Sequence, residues 1–229
     1  MGRRIVLGML GLGVLGVAFG ARAANAIATL MAPVEEHDPT GLTSLIPAAG
    51  GFRYYSISGS EPLRTRRDYR LTVSGLVDRP STYTYADLAS MPRTRLVRDF
   101  QCVTGWRVPS VPWSGVRLGD LLDAVGVAPS ARALTFTSFD GADTESLTLD
   151  QARRPDVIVA LGMYDKPLTR AHGGPVRLYV APMYGYKSLK WLSGIALTDQ
   201  VVPGFWERNG YDVNAWVGKS NGRGDAPTS

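Results

Sequence analysis

Seven consecutive residues, Phe100-Gln101-Cys102-Val103-Thr104-Gly105-Trp106, contain the only cysteine of this 229-residue chain. One thiol cannot form an internal disulfide or a four-cysteine zinc site, so Cys102 is a core residue, a nucleophile or a single metal ligand. Gly105 and the Pro109/Pro112 segment are typical of a loop rather than of a buried strand interior. We therefore expect a strand over residues 95–101 to deliver Cys102 to a loop, where its thiolate can bind a soft metal or attack an electrophile.

A second informative stretch is His172-Gly173-Gly174-Pro175-Val176-Arg177. The paired glycines let the backbone approach a ligand closely, and Arg177 offers a planar fork of donors that matches a phosphate. Lys187 and Lys190 add positive charges shortly afterwards, and Ser188 adds a hydroxyl. These residues predict a site for a phosphate-bearing ligand. Because the chain has neither a P-loop nor a glycine-rich dinucleotide motif after a strand, ordinary nucleotide binding has no support.

His172 also allows a different interpretation, in which it is the base that activates Cys102 in a thiol hydrolase or transferase. The only other histidine, His37, lies in a stretch rich in Pro, Gly and Thr. From the residues alone, the metal-ligand and nucleophile interpretations of Cys102 both stay open.

Charge and composition exclude some partners. Hydrophobic residues make up 45% of the chain, which is enough for a packed core. The formal net charge is +5, and the first 26 residues contribute three of these charges through Arg3, Arg4 and Arg22. The remaining charge is too small to indicate a nucleic-acid partner.

The N-terminus predicts an export segment. Arg3 and Arg4 precede an uncharged stretch over residues 5–21, and a small-residue cleavage pattern follows at residues 24–26. The paired arginines favour the twin-arginine route. We expect residues 1–31 to be an export signal or membrane anchor, which would be the only part to contact a membrane, and we expect the protein to act outside the cytoplasm.

Composition divides the rest of the chain into three parts. Residues 32–51 predict a linker or extended arm, residues 52–217 the working domain, and residues 218–229 a disordered tail rich in Gly, Ser and Pro. Within the domain, short strands and short helices mix without regular βαβ alternation. This pattern predicts an α+β fold with mixed sheets and short helices.

Five blocks together resemble the molybdopterin-binding oxidoreductase domain of the sulfite oxidase family. They are residues 100–106, 113–122, 138–141, 172–177 and 185–192, and they stand in the family's order. The resemblance covers about residues 52–212. It implies the sulfite-oxidase-type molybdopterin-binding fold and one Mo-molybdopterin cofactor.

The resemblance also implies roles for individual residues. Cys102 would be the protein thiolate on molybdenum and the catalytic residue. The residues expected to contact the cofactor are Tyr55, Ser56, Ser138, His172, Arg177, Ser188 and Lys190. At the N-terminal contact, the resemblance leaves open whether Tyr54 or Tyr55 faces the cofactor.

The resemblance finally implies an exported oxidoreductase that transfers an oxygen atom, with two electrons, at a small sulfur- or nitrogen-containing group. The sequence is expected to lack the additional β-sandwich of true sulfite oxidases and a built-in haem. It is therefore similar to the compact exported branch that includes the catalytic subunit of periplasmic methionine-sulfoxide reductase. Members of that branch receive electrons from a separate membrane haem protein. The alternatives are a non-catalytic cofactor-binding subunit of a membrane redox assembly and the Cys102/His172 thiol enzyme.

Overall fold

The computed structural model of the chain describes residues 52–228. The predicted export segment, residues 1–31, and the predicted linker, residues 32–51, lie outside the described residues. Within the described range, no helix has both the length and the apolar character needed to cross a bilayer. One compact unit comprises residues 54–106 and 110–229, and it carries the elements that position the site.

The fold contains ten strands and short helices. In chain order they are β1 (Arg70–Gly75), β2 (Ser81–Thr84), α1 (Tyr85–Ser90), β3 (Thr94–Gln101), β4 (Arg107–Arg117), α2 (Leu118–Val125), β5 (Ala133–Ser138), β6 (Thr144–Thr148), α3 (Leu149–Ala152), β7 (Val157–Met163), β8 (Lys166–Pro167), β9 (Arg177–Val180), a 3₁₀ turn (Gly185–Lys187), β10 (Leu192–Thr198) and α4 (Phe205–Arg208).

The strands form two sheets. The first has the order β2-β1-β10-β5-β6, in which β1 and β10 are parallel and the other pairs are antiparallel. The second has the order β3-β4-β7-β8, and β9 also pairs with β7, at Val157, Ile158, Val159 and Ala160. Mixed sheets with short helices confirm the predicted α+β class.

Local sequence signals explain several elements. α1 and α3 each begin with a capping box, made by Thr84 with Asp87 and by Thr148 with Gln151. α2 buries Leu118, Leu121, Leu122 and Val125 on one face, as its helical spacing predicts, and Gly126 ends it. Burial of each of these leucines contributes about 2 kcal/mol to folding.

One element differs from the prediction. The segment containing Pro109 and Pro112 was expected to be a loop, yet it belongs to β4. Prolines cannot donate ladder hydrogen bonds, so the antiparallel pairing with β7 begins only at Trp113 and is interrupted between Ser114 and Gly115. The prolines are tolerated in the long strand because they precede the part that pairs with β7.

The predicted disordered tail also differs. Residues 218–228 are described and hydrogen-bonded to the body of the domain, and Ser220 is buried. Composition rich in Gly, Ser and Pro did not reveal these contacts, because each depends on a partner far away in sequence.

Candidate active site

Cys102 lies in a tight turn between β3 and β4, called here the cysteine turn (residues 102–105). The Cys102 N–H donates to the Trp106 carbonyl at 2.9 Å, and the Gly105 N–H donates to the Cys102 carbonyl at 3.1 Å. Gly105 has a φ of +100°, a region that favours glycine. The Cys102 Sγ lies 3.2 Å from Thr104 Oγ1, and the residue is partly exposed. The turn therefore holds the thiol in place and leaves it accessible.

Arg177, at the start of β9, is a buried cation. Its Nη1 donates to the His172 carbonyl at 2.9 Å, and its Nη2 donates to the Ser188 carbonyl at 2.6 Å. Burial lowers its pKa to about 10, which still leaves it positive at neutral pH. The guanidinium thus ties the loop after β8 to the loop before β10.

Lys190 adds a second positive charge to the same region. Its Nζ donates to the Ala171 carbonyl at 3.1 Å and lies 4.4 Å from the centroid of the Trp191 ring. Burial and, next, the charge of Arg177 lower its pKa to about 8. Gly173 has a φ of +89°, and a Cβ there would lie 2.7 Å from the Lys190 Cβ. Glycine at 173 is therefore what lets the loop lie directly against Lys190.

His172 is neutral in this environment. Burial, followed by the charges of Arg177 and Lys190, lowers its pKa to about 3. Its Nε2 lies 3.2 Å from the Tyr54 hydroxyl, and the two rings meet edge to face. The imidazole therefore offers neutral hydrogen-bonding nitrogens over the physiological pH range.

Two serines complete the surroundings of the cations. Ser188 is buried and its Oγ accepts from the Val180 N–H at 3.0 Å. Ser138, at the end of β5, donates to the Asp140 carboxylate, and the β5–β10 register places it opposite Leu192, two residues after Lys190. We call His172, Arg177, Ser188 and Lys190 the cationic cradle.

The charges in the cradle indicate an anionic ligand. The hydrogen bonds that Arg177 and Lys190 make within residues 52–228 go to backbone carbonyls. Burial and then Asp140 raise the pKa of the neighbouring Asp143 to about 7, so this acid offsets the two cations only in part. Arg177 is buried and Lys190 is partly buried, and Glu61, Asp143 and Asp140 are the acids that act on Lys190. A bound phosphate would further offset the cost of holding the two positive charges there. The residues present therefore fit a phosphate-bearing cofactor such as molybdopterin.

Phe100 connects the cysteine turn with the cradle. The Arg177 Cζ lies 5.7 Å from the centroid of the Phe100 ring, and a Cβ at Gly185 would lie 2.4 Å from the Phe100 Cζ. One residue earlier, the Asp99 carbonyl accepts from the Tyr179 hydroxyl of β9 at 2.9 Å. The end of β3, two residues before Cys102, is thereby anchored against Arg177 and Tyr179 of β9. Within the described range no group of three or more His, Cys, Asp or Glu could hold a metal unaided.

The N-terminal contact residues divide into two groups. Tyr54 contacts His172, whereas Tyr55 is 62% exposed and packs on Trp206 with 5.5 Å between ring centroids. Ser56 donates to the Ser60 carbonyl. The geometry thus brings Tyr54, rather than Tyr55 or Ser56, to the cradle.

Lys187 does not join the cradle as its sequence position suggested. Its buried Nζ donates to Glu145 and to the Ser146 carbonyl, each at 2.8 Å, and forms a further ion pair with Glu207. The short 3₁₀ turn directs it to the side opposite Ser188, so consecutive residues serve different sites. Sequence reasoning also missed Asp143, since its raised pKa results from burial that the sequence does not show.

Comparisons with known proteins agree with this geometry. The family model described as the oxidoreductase molybdopterin binding domain matches residues 58–206. This range includes Cys102, Ser138 and all four cradle residues, but not Tyr54.

Curated relatives share this region. The chain is 38% identical over 145 residues to the uncharacterized oxidoreductase YuiH of Bacillus subtilis, covering 63% of this chain and 73% of that protein. It is 33% identical over 153 residues to the protein-methionine-sulfoxide reductase catalytic subunit MsrP of Ralstonia nicotianae, covering 60% and 46%. It is 29% identical over 181 residues to the sulfite oxidase of Arabidopsis thaliana, covering 64% and 46%.

A solved structure extends the comparison. The sulfane dehydrogenase SoxCD of Paracoccus pantotrophus matches with a TM-score of 0.58 and 25% identity, over 63% of this chain and 41% of that one. The chain thus spans less than half the length of MsrP, sulfite oxidase and the SoxCD chain. The chain belongs to the oxidoreductase family defined by the molybdopterin binding domain of the sulfite oxidase type.

Proposed function

We propose that this protein is an exported molybdenum–molybdopterin oxidoreductase that moves an oxygen atom, with two electrons, to or from a small sulfur- or nitrogen-containing group. One observation carries the proposal most directly. The partly exposed single cysteine follows Phe100 by two residues, and the Phe100 ring lies against Arg177 of the cationic cradle. A thiolate ligand and a phosphate grip are the two things that a protein must supply to this cofactor.

The chain's own residues would bind and orient the cofactor. Cys102 would give its thiolate to molybdenum, for which a soft sulfur ligand is suited. Arg177 and Lys190 would grip the phosphate, and Ser188, whose Oγ already accepts one hydrogen bond, keeps its O–H for donation. The bound molybdenum would supply the two-electron exchange of an oxygen atom with the substrate.

His172 would assist as a neutral partner. Because its pKa lies near 3, the imidazole can donate from one nitrogen and accept at the other without adding charge. Its contact with Tyr54 would fix the ring orientation, and we propose Tyr54 as the cofactor contact in place of Tyr55. Ser138 would contact the cofactor at the edge of the site, with its hydroxyl oriented by the hydrogen bond that it donates to Asp140.

Sulfoxide reduction and sulfite-type oxidation are the two directions that the relatives' names suggest. We also propose a location outside the cytoplasm, because residues 1–31 have the pattern of an export signal. A separate electron-transfer protein, such as a membrane haem protein, would serve as partner, since MsrP is by name a catalytic subunit.

The Cys102/His172 thiol enzyme has less support. The hydrogen bond of the Cys102 thiol within residues 52–228 is with Thr104, and the His172 Nε2 lies against Tyr54. An imidazole with a pKa near 3 is also too weak a base to take a proton from a thiol near neutral pH.

The first experiment is metal and pterin analysis of the full-length protein from a host that makes the cofactor. We expect about one molybdenum and one pterin per chain, and turnover with sulfoxides, N-oxides or sulfite when a suitable dye carries the electrons. Fractionation of the same cells checks export. Protein without molybdenum or pterin would contradict the proposal.

Variants sharpen that experiment. Cys102→Ser should keep the pterin, because the cradle is intact, but lose turnover by at least about a thousandfold. Arg95→Gln is the control, because it removes only a surface ion pair with Asp165. It should leave the pterin content and the turnover unchanged. Bound cofactor without turnover on any donor would instead favour a non-catalytic subunit.

A further inference from the structure

The segment that composition predicted to be disordered packs beside the active site. We call residues 218–228 the strap segment. Thr228 donates to the Ala181 carbonyl at 2.9 Å, and the Gly218 N–H donates to the Tyr184 hydroxyl at 3.1 Å. That hydroxyl in turn donates to Asp225 at 2.9 Å. The strap segment is thus bound to residues 181–184, which lead directly into the cradle.

The strap segment also reaches the cysteine turn. Arg223 forms a forked ion pair with Asp225, at 2.7 Å through Nε and 3.3 Å through Nη2. A Cβ added at Gly105 would lie 2.9 Å from the same Nη2. The guanidinium therefore lies directly on the open face of Gly105, at the residue that closes the turn around Cys102.

These contacts form a continuous chain between two parts of the site. They run from the cysteine turn through Arg223 and Asp225 to Tyr184, and Tyr184 lies four residues before Ser188 of the cradle. Tyr184 itself is fully buried, so it is a rigid anchor for the carboxylate. Phe100 provides the first connection between turn and cradle, and the strap segment provides a second on the outer side.

We propose that Arg223, oriented by Asp225, is a positioning residue that holds the cysteine turn in the geometry needed for Cys102 to serve as the metal ligand. The proposal rests on the proposed function for what the turn binds, but the clamp itself acts on the protein alone. Residues 218–228 lie beyond the range of the family match, 58–206, so the inference concerns this chain's own segment.

Hydrogen exchange of the full-length protein tests the clamp. The amides of Cys102 and Gly105 report directly, because their hydrogen bonds close the turn. We expect Arg223→Gln to speed their exchange about fivefold, as loss of one charge-assisted contact shifts a local opening equilibrium. Asp225→Asn should act similarly, and the double variant should add little to either single one.

Two comparisons separate positioning from general stability. Arg223→Lys keeps the charge without the fork, so its exchange rate should lie between those of the original protein and Arg223→Gln. Lys219→Gln removes one exposed charge from the same segment and should leave the exchange rates of the Cys102 and Gly105 amides unchanged. In cofactor-loaded protein, Arg223→Gln should also shift the sulfur-to-molybdenum absorption, whereas Lys219→Gln should not.

Unchanged exchange at Cys102 and Gly105 in both Arg223→Gln and Asp225→Asn would overturn the clamp. Equal acceleration in the β1 and β10 strands would overturn it as well, because it would show general destabilisation. The exchange experiment needs no cofactor. Its failure is therefore distinct from a failure to find molybdenum, which would overturn the proposed function and leave the clamp standing.

Discussion

At the residue scale, the site depends on the charges of a buried arginine and a partly buried lysine, which water screens less than it would at the surface. Arg177 and Lys190 stay positive near neutral pH beside a histidine that stays neutral. The two cations are themselves part of the reason why His172 resists protonation, after burial. A third positive charge in this place would be repelled until an anion binds.

This electrostatic arrangement gives a prediction for pH. The folded pKa of His172, about 3, lies below its ordinary value of 6.5, so the unfolded chain takes up the proton first as pH falls. The contribution of His172 to stability should therefore decrease from pH 6.5 downward, by about 2 kcal/mol at about pH 5. Urea unfolding of cofactor-free protein measures this loss.

The matched variant isolates the histidine. Asp143 acts in the opposite sense, because its raised pKa favours the folded state as pH falls from about 7. The useful quantity is therefore the difference in free energy of unfolding between the original protein and His172→Gln. This difference should become smaller by about 2 kcal/mol between pH 6.5 and about pH 5. A difference that does not vary with pH would show that His172 titrates normally.

At the element scale, the 3₁₀ turn Gly185–Lys187 separates the residues of the cradle from a lysine that forms ion pairs in the core. Ser188 and Lys190 follow it into the cradle, while Lys187 enters the core and joins Glu145 of β6 to Glu207 of α4. Burial raises the pKa of Glu145 well above its usual range, although the neighbouring charge of Lys187 acts in the opposite direction.

Removing the lysine should expose how strongly these elements depend on it. Lys187→Met leaves two buried carboxyls without their cation and should lower the free energy of unfolding by about 3–5 kcal/mol. Urea denaturation measures the loss, with Lys166→Met at an exposed position as the control. Replacing Lys187, Glu145 and Glu207 together by Met and Leu should recover most of it, and a loss below about 1 kcal/mol in Lys187→Met would contradict the argument.

At the scale of the whole molecule, a bound cofactor should join the ends of several elements. It would contact the loop after β3, the loop before β9 and the loop before β10, so it would stabilise the folded state. At about a thousandfold excess over its Kd the gain is about 4 kcal/mol, which corresponds to about 10 °C in Tm for a domain of this size. Thermal unfolding of protein from hosts with and without the cofactor pathway measures the shift.

Lys190→Gln provides the matching variant for this comparison. This variant weakens the phosphate grip and loses one hydrogen bond to the Ala171 carbonyl and the contact with the Trp191 ring. The Tm difference between its two preparations should therefore be smaller than for the original protein. Equal Tm values for the original protein from both hosts would argue against cofactor binding in this place.

Sequence patterns predicted the parts of this architecture that depend on neighbours in the chain. The α+β class and the loop that carries Cys102 follow from the spacing of apolar residues and from turn residues. Patterns could not decide which of Tyr54 and Tyr55 turns inward, since adjacent residues in an extended segment differ only in direction. They also placed Lys187 with the phosphate, because one turn of 3₁₀ geometry reverses its direction.

The strap segment shows the same limit over a longer distance. Its Gly, Ser and Pro content resembles that of a disordered tail, and its order results from Tyr184 and Ala181, which lie far away in the chain. Composition reports whether a segment can bury enough apolar surface by itself. It does not report that a segment can be held by hydrogen bonds to an existing surface.

The complete burial of Lys187 can be used in an experiment. The chain has four lysines, of which Lys166 and Lys219 are exposed while Lys187 is completely buried. An amine-reactive footprinting reagent will therefore modify the first two in the native protein and reach Lys187 only after β6 and α4 separate. The extent of modification of the peptide that contains Lys187, measured by mass spectrometry, therefore reports how often the core opens, and no probe has to be introduced.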